Sequence, residues 1–493
     1  MTRKYKLNLK QALFIGLIAA AAFSGCKKYL DTNNNPNNPA SVEPALLLPT
    51  TQAALSQVVG NSFQVFGNIW AQYWTQSPLA SQYKTMDQYA SVNTDFNGPW
   101  RNLYTVALVN ADLIINNPTS SANLKGVAYL MKAYGFQLAT DAFGDVPLSQ
   151  ALQPTKYLNP KYDSQQAVYD SVFMYINRAI PLLNTANSLN PGAQDMIYQG
   201  NMGQWVAFAN TLELRAYLRL AIKDPATAQA GIKALYATSP AFLTTDATIT
   251  YTSTGGNENP FYNEEVALGK TQNVVASSTV VSAFTKNNDP RLNKFFVIYN
   301  NPAQDSLESI PQGSYLVYNQ KIVSPPSPLV GALAIDPASA TAPVKLISAA
   351  ESDFLQAEAA ARGWAPGNVT ALYKAGIAAS FAATGAGDPT TYMATAPDGL
   401  AALTGAGSTV NDEVKAIITQ KYYAMCGFQG FEAWTEWRRT GYPDFFVQSA
   451  GSIIAPGQMP LRMLYPNSEL TSNLNYPGTV PIYTPVWWGL AKP

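Results

Sequence analysis

The chain has 493 residues, with 31 Lys and Arg against 31 Asp and Glu, 13% charged residues overall, and no histidine. Without histidine there can be no Ser-His-Asp or Cys-His catalysis, no His-ligated zinc and no His-based facial triad, and the lack of positive excess argues against nucleic acid as a partner. A glycosidase built on paired carboxylates stays open, because both of its working groups are Asp or Glu.

At the N-terminus, Arg3, Lys4, Lys6 and Lys10 precede an apolar run from Ala12 to Phe23. At about a dozen residues, that run is too short to cross a bilayer of roughly 30 Å and reads as a processing signal. Phe23-Ser24-Gly25-Cys26 has small residues at the two positions before the cysteine and resembles the lipobox of bacterial lipoproteins, with Phe23 where Leu is usual. The resemblance implies cleavage before Cys26 and acylation of that residue as a lipid anchor. More than one acyl chain, at about 0.8 kcal/mol per buried methylene, holds stably to a membrane. Lys27, rather than Asp, follows the cysteine, which points to the outer membrane. Residues 1–25 are thus read as a signal peptide and 26–44 as a lipidated leader, whose "LDTNNNPNNPA" has almost nothing to bury. Asp31, Asn33 and Asn35 alternate as in an EF-hand loop, but Pro36 stands in place of the Gly and Val42 in place of the bidentate Glu, so no metal site is expected. Removal of the signal leaves 27 basic and 31 acidic residues, and only Cys426 besides Cys26, so no intramolecular disulfide is expected.

Residues 45–493 are read as one composite domain. Phe63, Phe66, Ile69, Trp70, Tyr73 and Trp74 recur at spacings of three and four, an apolar helical stripe. "TQSPLASQYKTMDQYASVNTDFNGPW" then lacks aliphatic periodicity and is rich in Tyr, Gln and Asn. Helical spacing returns at Trp100, Tyr104 and Leu108, over 122–141 up to "DAFGDVPLSQAL", and over 164–185 and 203–222. Residues 241–345 change texture: β-like "TITYTS" and "FFVIY" lie between Asn-, Pro- and Gly-rich loops, with one clear helix around Val274 to Thr285. "ESDFLQAEAAARGWAPGNVTALYKAGIAASFAATG" reads as two helices around a turn at Gly363, Pro366 and Gly367, resembling a degenerate tetratricopeptide unit. Val414, Ile417, Ile418, Tyr422, Met425 and Cys426 form one apolar face, followed by the short helix "FEAWTEWRRTGYP" stopped at Gly441 and Pro443. The last fifty residues read as loops.

The charged motifs read as structure. Glu432 and Glu436 lie on adjacent turns of one helix beside Arg438 and Arg439, whereas glycosidase carboxylates face each other across a cleft, about 5 to 9.5 Å apart. Cys426 reads as a small buried hydrophobe, and Arg291 and Arg462 as ties for loop carbonyls or carboxylates. What the composition does favour is a polar, uncharged ligand: 28 Tyr, 9 Trp and 20 Phe in an Asn-rich chain can stack on sugar faces and pair with hydroxyls. Two stretches combine aromatics with amides outside helical periodicity. One is 76–100, with Tyr83, Tyr89 and Trp100. The other is "TSTGGNENPFYNEE", with Asn257, Asn259 and Tyr262. These are expected to approach one another and form a ligand surface, with Trp74 as a contributor or a core residue.

The lipobox, "YLDTNNNPNNP", "DAFGDVPLSQA", "NDPRL", "AEAAARGW", "FEAWTEWRRTGYP" and "RMLYPNSELTSN" together resemble the SusD/RagB-type nutrient-binding outer-membrane lipoproteins, and within them the SusD-like 2, starch-binding branch. The resemblance runs from Cys26 to near the C-terminus. It implies a mainly α fold, with degenerate tetratricopeptide helix pairs as scaffold, mainly 45–235 and 346–440. A loop-rich, minor-β ligand-binding part, mainly 241–345 and 441–493, packs on that scaffold. It also implies a SusC-type TonB-dependent outer-membrane transporter as partner, an oligosaccharide or, as in RagB relatives, a peptide as ligand, no cofactor and no catalysis. A surface glycoside hydrolase and a helical-repeat adaptor are the alternatives from other classes.

Overall fold

The structure, a computed structural model, describes residues 43–298, 306–405, 408–491 and 493. Cys26 and the 31–42 segment lie outside them. The apolar stripe begins in the helix Leu47–Gln57 and continues through a wider turn, Val58–Ser62, into the helix Phe63–Trp70. Phe63, Phe66, Ile69 and Trp70 are all buried. This helix crosses Gly430–Thr440 at two glycines. A Cβ on Gly67 would lie 2.1 Å from the Phe431 nitrogen, and one on Gly430 would lie 2.5 Å from the Asn68 nitrogen, so only hydrogen fits between the two backbones.

Helix pairs follow because most starts carry a side-chain cap and the helices have apolar faces to cover. Ser121 accepts from the Leu124 amide to open Ala122–Phe143, Ser164 from Ala167 to open Gln165–Leu183, and Asn201 from Gln204 to open Met202–Arg219. Pro225–Ala237 begins with the Asp224 cap and Pro at its first turn. Helix 122–143 packs on 165–183, which packs on 202–219, which packs on 225–237. A second group begins with Ala349–Ala361 and Val369–Thr384, where Gly376 lets the Phe354 ring come within 2.7 Å of a built Cβ. Val410–Met425 opens on a Thr409–Asp412 capping box, and Gly430–Thr440 ends at left-handed Gly441, as the sequence indicates.

The minor β part consists of three two-stranded antiparallel sheets among the described residues: Trp74–Gln76 with Val274–Ala276, Val146–Pro147 with Tyr162–Asp163, and Ala247–Ile249 with Val344–Ile347. The expected helix from Val274 therefore starts later. Val274 to Ala276 pair as a strand, and only Ser278–Lys286 is helical, capped by Ser277. Two β-branched residues beside an available edge favour the ladder over the helix. A second helix that the reading did not place in the middle region, Pro260–Ala267, is started by Asn259. "TITYTS" supplies a strand, whereas "FFVIY" supplies only a bridge from Phe296 to Pro326 among its described residues.

The fold is mainly α, with paired helices on one side of the count and a loop-rich remainder, as the sequence implies. Residues 44–493 form one compact unit, and among the described residues no helix is long and apolar enough to cross a membrane.

Candidate binding cleft

The loop-rich part meets the helices around Gln72, which sits buried in a left-handed conformation (φ 59°) after the first stripe. Its Nε2 donates to the Val447 carbonyl (2.5 Å), while its Oε1 accepts from the Val447 amide (3.1 Å) and the Thr279 hydroxyl (2.9 Å). One amide thereby holds helix 278–286 against the 444–447 segment. Between them opens a cleft of about 490 Å³, lined by Ser278, Ser282, Lys286, Gln312, Asp398, Tyr423, Asp444, Phe445 and Val447 among others.

Its polar wall is built around Asp398. The carboxylate accepts from the Tyr423 hydroxyl (2.7 Å) and the Asn287 amide (2.7 Å) and pairs with Lys286 (3.3 Å). Burial alone would raise this carboxyl, but the Tyr423 and Asn287 hydrogen bonds and Lys286 outweigh it and hold it below its ordinary value, so it is ionised at neutral pH. Asp444, on the opposite rim, pairs with Lys415 at 2.5 Å. Gln312 Nε2 donates to Asp87 (2.6 Å) and the Trp74 carbonyl (3.1 Å), and its Oε1 has no partner among the described residues. The apolar wall is the half-buried Phe445 ring, 5.6 Å from Tyr422. Hydroxyls, an amide, an ionised carboxylate and an aromatic ring around an open cleft suit a polyol. A glycosidase acid needs a carboxyl held protonated, which Asp398 is not.

The sequence-expected residues are distributed otherwise. Stretches 76–100 and 252–265 do meet, but through largely buried groups. The Tyr83 hydroxyl donates to Glu264 Oε1 at 2.7 Å, and Trp74 stacks on Phe261 with centroids 5.7 Å apart. Trp74, Tyr83, Tyr89, Asn259 and Tyr262 are all buried. Asn259 Oδ1 caps its helix, accepting from Phe261 and Tyr262, and the Ser449 amide donates to the Tyr89 oxygen. These five are packing and capping residues here, not an open platform, because the two loops bury one another where they touch. Asn257 is exposed and donates to Thr252. Trp100, 5% exposed, lines a separate cleft of about 410 Å³ with Tyr104, Gln150, Gln153 and Tyr157. The 490 Å³ cleft is not legible in the sequence because its lining comes from five remote stretches. The one sequence signal was "YPDFF", an aromatic and acidic loop just past a helix stop.

The charged motifs are packed as expected. Glu432 pairs with Arg219 at 2.6 Å, and Glu436 pairs with both Arg219 and Arg439 at 2.5 Å, all of them buried. Arg291 pairs with Asp289 at 2.6 Å inside a cage of Phe284, Phe381, Tyr392 and Tyr423 rings. Arg462 donates to the Phe143 carbonyl under the Tyr465 ring, and Cys426 is buried. Among the described residues there is no group of three or more His, Cys, Asp or Glu able to hold a metal ion.

A scaffold of helix pairs carrying a loop-built, polyol-suited cleft defines a binding protein. Residues 36–466 match the SusD-like 2 family, described as starch-binding and associating with the outer membrane, and the chain belongs to that family. It is similar in structure to a chitin-binding SusD homologue from Flavobacterium johnsoniae, at 25% identity and TM-score 0.75, over 90% of this chain and 99% of that one. A SusD-like protein from Bacteroides thetaiotaomicron shares the fold at 24% identity and TM-score 0.75, over 91% and 99% of the two chains. A SusD homologue from Bacteroides vulgatus does so at 24% identity and TM-score 0.72, over 87% and 93%. No curated protein gives a significant match.

Proposed function

We propose that this protein is a non-catalytic, lipid-anchored binding protein of the outer membrane, facing the exterior. It holds a glycan in the cleft between helix 278–286 and segment 444–447 and passes it to a SusC-type TonB-dependent transporter. The observation that carries the reading is the cleft itself, where Phe445 faces the Ser278 and Ser282 hydroxyls and the ionised Asp398. The chitin-binding relative and the family's description support a carbohydrate as the ligand class. Anchoring rests on Cys26 and its small-residue context, and delivery rests on family membership. Ligand capture needs no acid–base pair in this chain, and Glu432 and Glu436 are already spent on buried arginines.

The test is calorimetric titration of the purified chain with chitin and starch oligomers and with a peptide mixture. Phe445→Ala should weaken glycan binding by about 1 to 3 kcal/mol, the scale of a lost aromatic contact, without lowering the melting temperature. Unchanged affinity in Phe445→Ala together with loss in Trp100→Ala would move the site to the second cleft. Binding of peptides alone would reject the glycan.

A further inference from the structure

A cleft larger than the one at 444–447 lies elsewhere, on the helical scaffold. About 570 Å³ opens between helices 165–183, 202–219 and 225–237, lined by Asn177, Asn184, Asn210, Glu213, Tyr217 and Thr238 together with apolar Ile180, Val206 and Pro240. Glu213 is only 7% exposed, and among the described residues the Tyr217 hydroxyl is its one polar partner and no cation acts on it. Glu358 and Glu436 on the scaffold helices are matched by arginine, and the buried Asp87, Asp195 and Glu265 each accept from two or more uncharged donors. A buried carboxyl facing an open groove without a cation is costly unless something arrives to neutralise it.

The neighbouring polar groups point the same way. Asn210 Nδ2 donates to the Ala241 carbonyl (2.8 Å), Asn184 Nδ2 to the Ile180 carbonyl (3.0 Å), and the Thr238 hydroxyl to the Leu235 carbonyl (2.7 Å). Each of these amides keeps a second N–H besides its oxygen, so the groove offers both donors and acceptors to ligand hydroxyls. Glu213 is the carboxyl in the lining, and an ammonium group, with three donors and a positive charge, is its complement. The amides and hydroxyl around the carboxyl, and the apolar wall of Ile180, Val206 and Pro240 opposite, suit a ligand with further hydroxyls and a C–H face rather than a bare alkyl chain.

We infer that this groove is a second binding site, for a glycan carrying a free primary amine, with Glu213 as the residue that receives the ammonium of an amino sugar. Burial also raises the Glu213 carboxyl to about 7, with the Tyr217 hydrogen bond opposing, so a bound cation is what would hold it ionised near neutrality. Glu213 and Tyr217 are the only titratable groups in the lining. The site is independent of the 444–447 cleft and can be read with that cleft disabled.

The experiment uses the full chain carrying Phe445→Ala, titrated at pH 7, where amino-sugar amines are still partly protonated, with a glucosamine hexamer, an N-acetylglucosamine hexamer and tri-lysine. The glucosamine hexamer should bind at least tenfold more tightly than its acetylated counterpart and than tri-lysine. Adding Glu213→Gln should erase that preference. Asn177→Arg, at an exposed rim position that does not threaten folding, should block the site by placing a guanidinium within reach of Glu213. Equal binding of the amine and acetylated oligomers, or a preference that survives both variants, overturns the proposal. Tighter binding of tri-lysine overturns the amino sugar as the ligand class. If the 444–447 reading fails while the groove behaves as described, the two sites are separated by that result.

Discussion

Arg439 and Glu358 form a two-pronged pair between helices that are far apart in sequence: Nη1 donates to Oε1 at 2.8 Å and Nη2 to Oε2 at 2.7 Å, with both side chains closed from solvent. Burial alone would raise the Glu358 carboxyl, but Arg439 and Arg362 outweigh it and hold it below the ordinary range. The pair ties helix 349–361 to helix 430–440, at the centre of a network that also holds Glu436 and Arg219. Removing one partner strands a buried charge, so Glu358→Ala should cost about 3 to 5 kcal/mol. Denaturant unfolding checks this, and a loss under about 1 kcal/mol would mean that the network relaxes around the gap.

Glu265 carries a pH dependence of its own. Burial raises its carboxyl to about 7, opposed by hydrogen bonds from Asn273 and Tyr83. The folded protein therefore binds this proton more tightly than the unfolded chain, whose value is near 4.5. Its stabilising contribution is complete below about 4.5 and is lost as pH rises towards 7. In Glu265→Gln the decline between pH 5 and pH 8 should be smaller than in the wild type by on the order of 2 kcal/mol. Parallel slopes for the two proteins would show that Glu265 ionises as freely when folded as when unfolded.

Gly67→Ala should be among the most damaging single-methyl changes in the chain. The new carbon would fall 2.1 Å from the Phe431 nitrogen, against backbone that cannot rotate away, so the two helices must separate. Overpacking of this kind costs about 1 to 3 kcal/mol or more. Gly98→Ala, with nothing within 4 Å of its Cβ, is the control and should unfold with the wild type.

Glu432→Gln and Glu436→Gln should leave glycan titrations unchanged while lowering stability, and the wild type should release no reducing sugar from any polysaccharide it binds. Their carboxylates face Arg219 and Arg439 inside the scaffold, where no sugar reaches. Hydrolysis that scales with protein and disappears in either variant would reinstate the glycosidase.

On the proposed lipid anchor, Cys26→Ala should free the folded body from membranes, since acyl chains rather than protein surface would then supply the attachment. Cell fractionation without the transporter partner reads this directly. A variant that still sediments with the membrane is held by something other than lipid.

Much of the architecture was legible in the residues themselves. Apolar stripes such as Phe63 to Trp70 and stops such as Gly144 and Gly441 act within a turn or two of the chain, so they can be read locally. The structural roles of Glu432, Glu436, Arg291 and Cys426 were legible too, because a single helix face cannot place two carboxylates across a cleft, and an apolar face buries its cysteine.

What local pattern could not reveal was which loop aromatics stay exposed. Tyr83 and Tyr262 share the composition of a sugar platform, yet the two loops that carry them cover each other, and Tyr83 is tied to Glu264 from 181 positions away. Conversely, Phe445, Asp398, Lys286 and Gln312 carry no shared motif and come together only because Gln72 clamps helix 278–286 to the 444–447 segment. The sequence by itself determined most of the scaffold helices, stops such as Gly441, the structural role of the charged motifs and the resemblance to a family. The tertiary structure alone decided which side chains face solvent together, since exposure depends on the surface left uncovered after distant segments have packed.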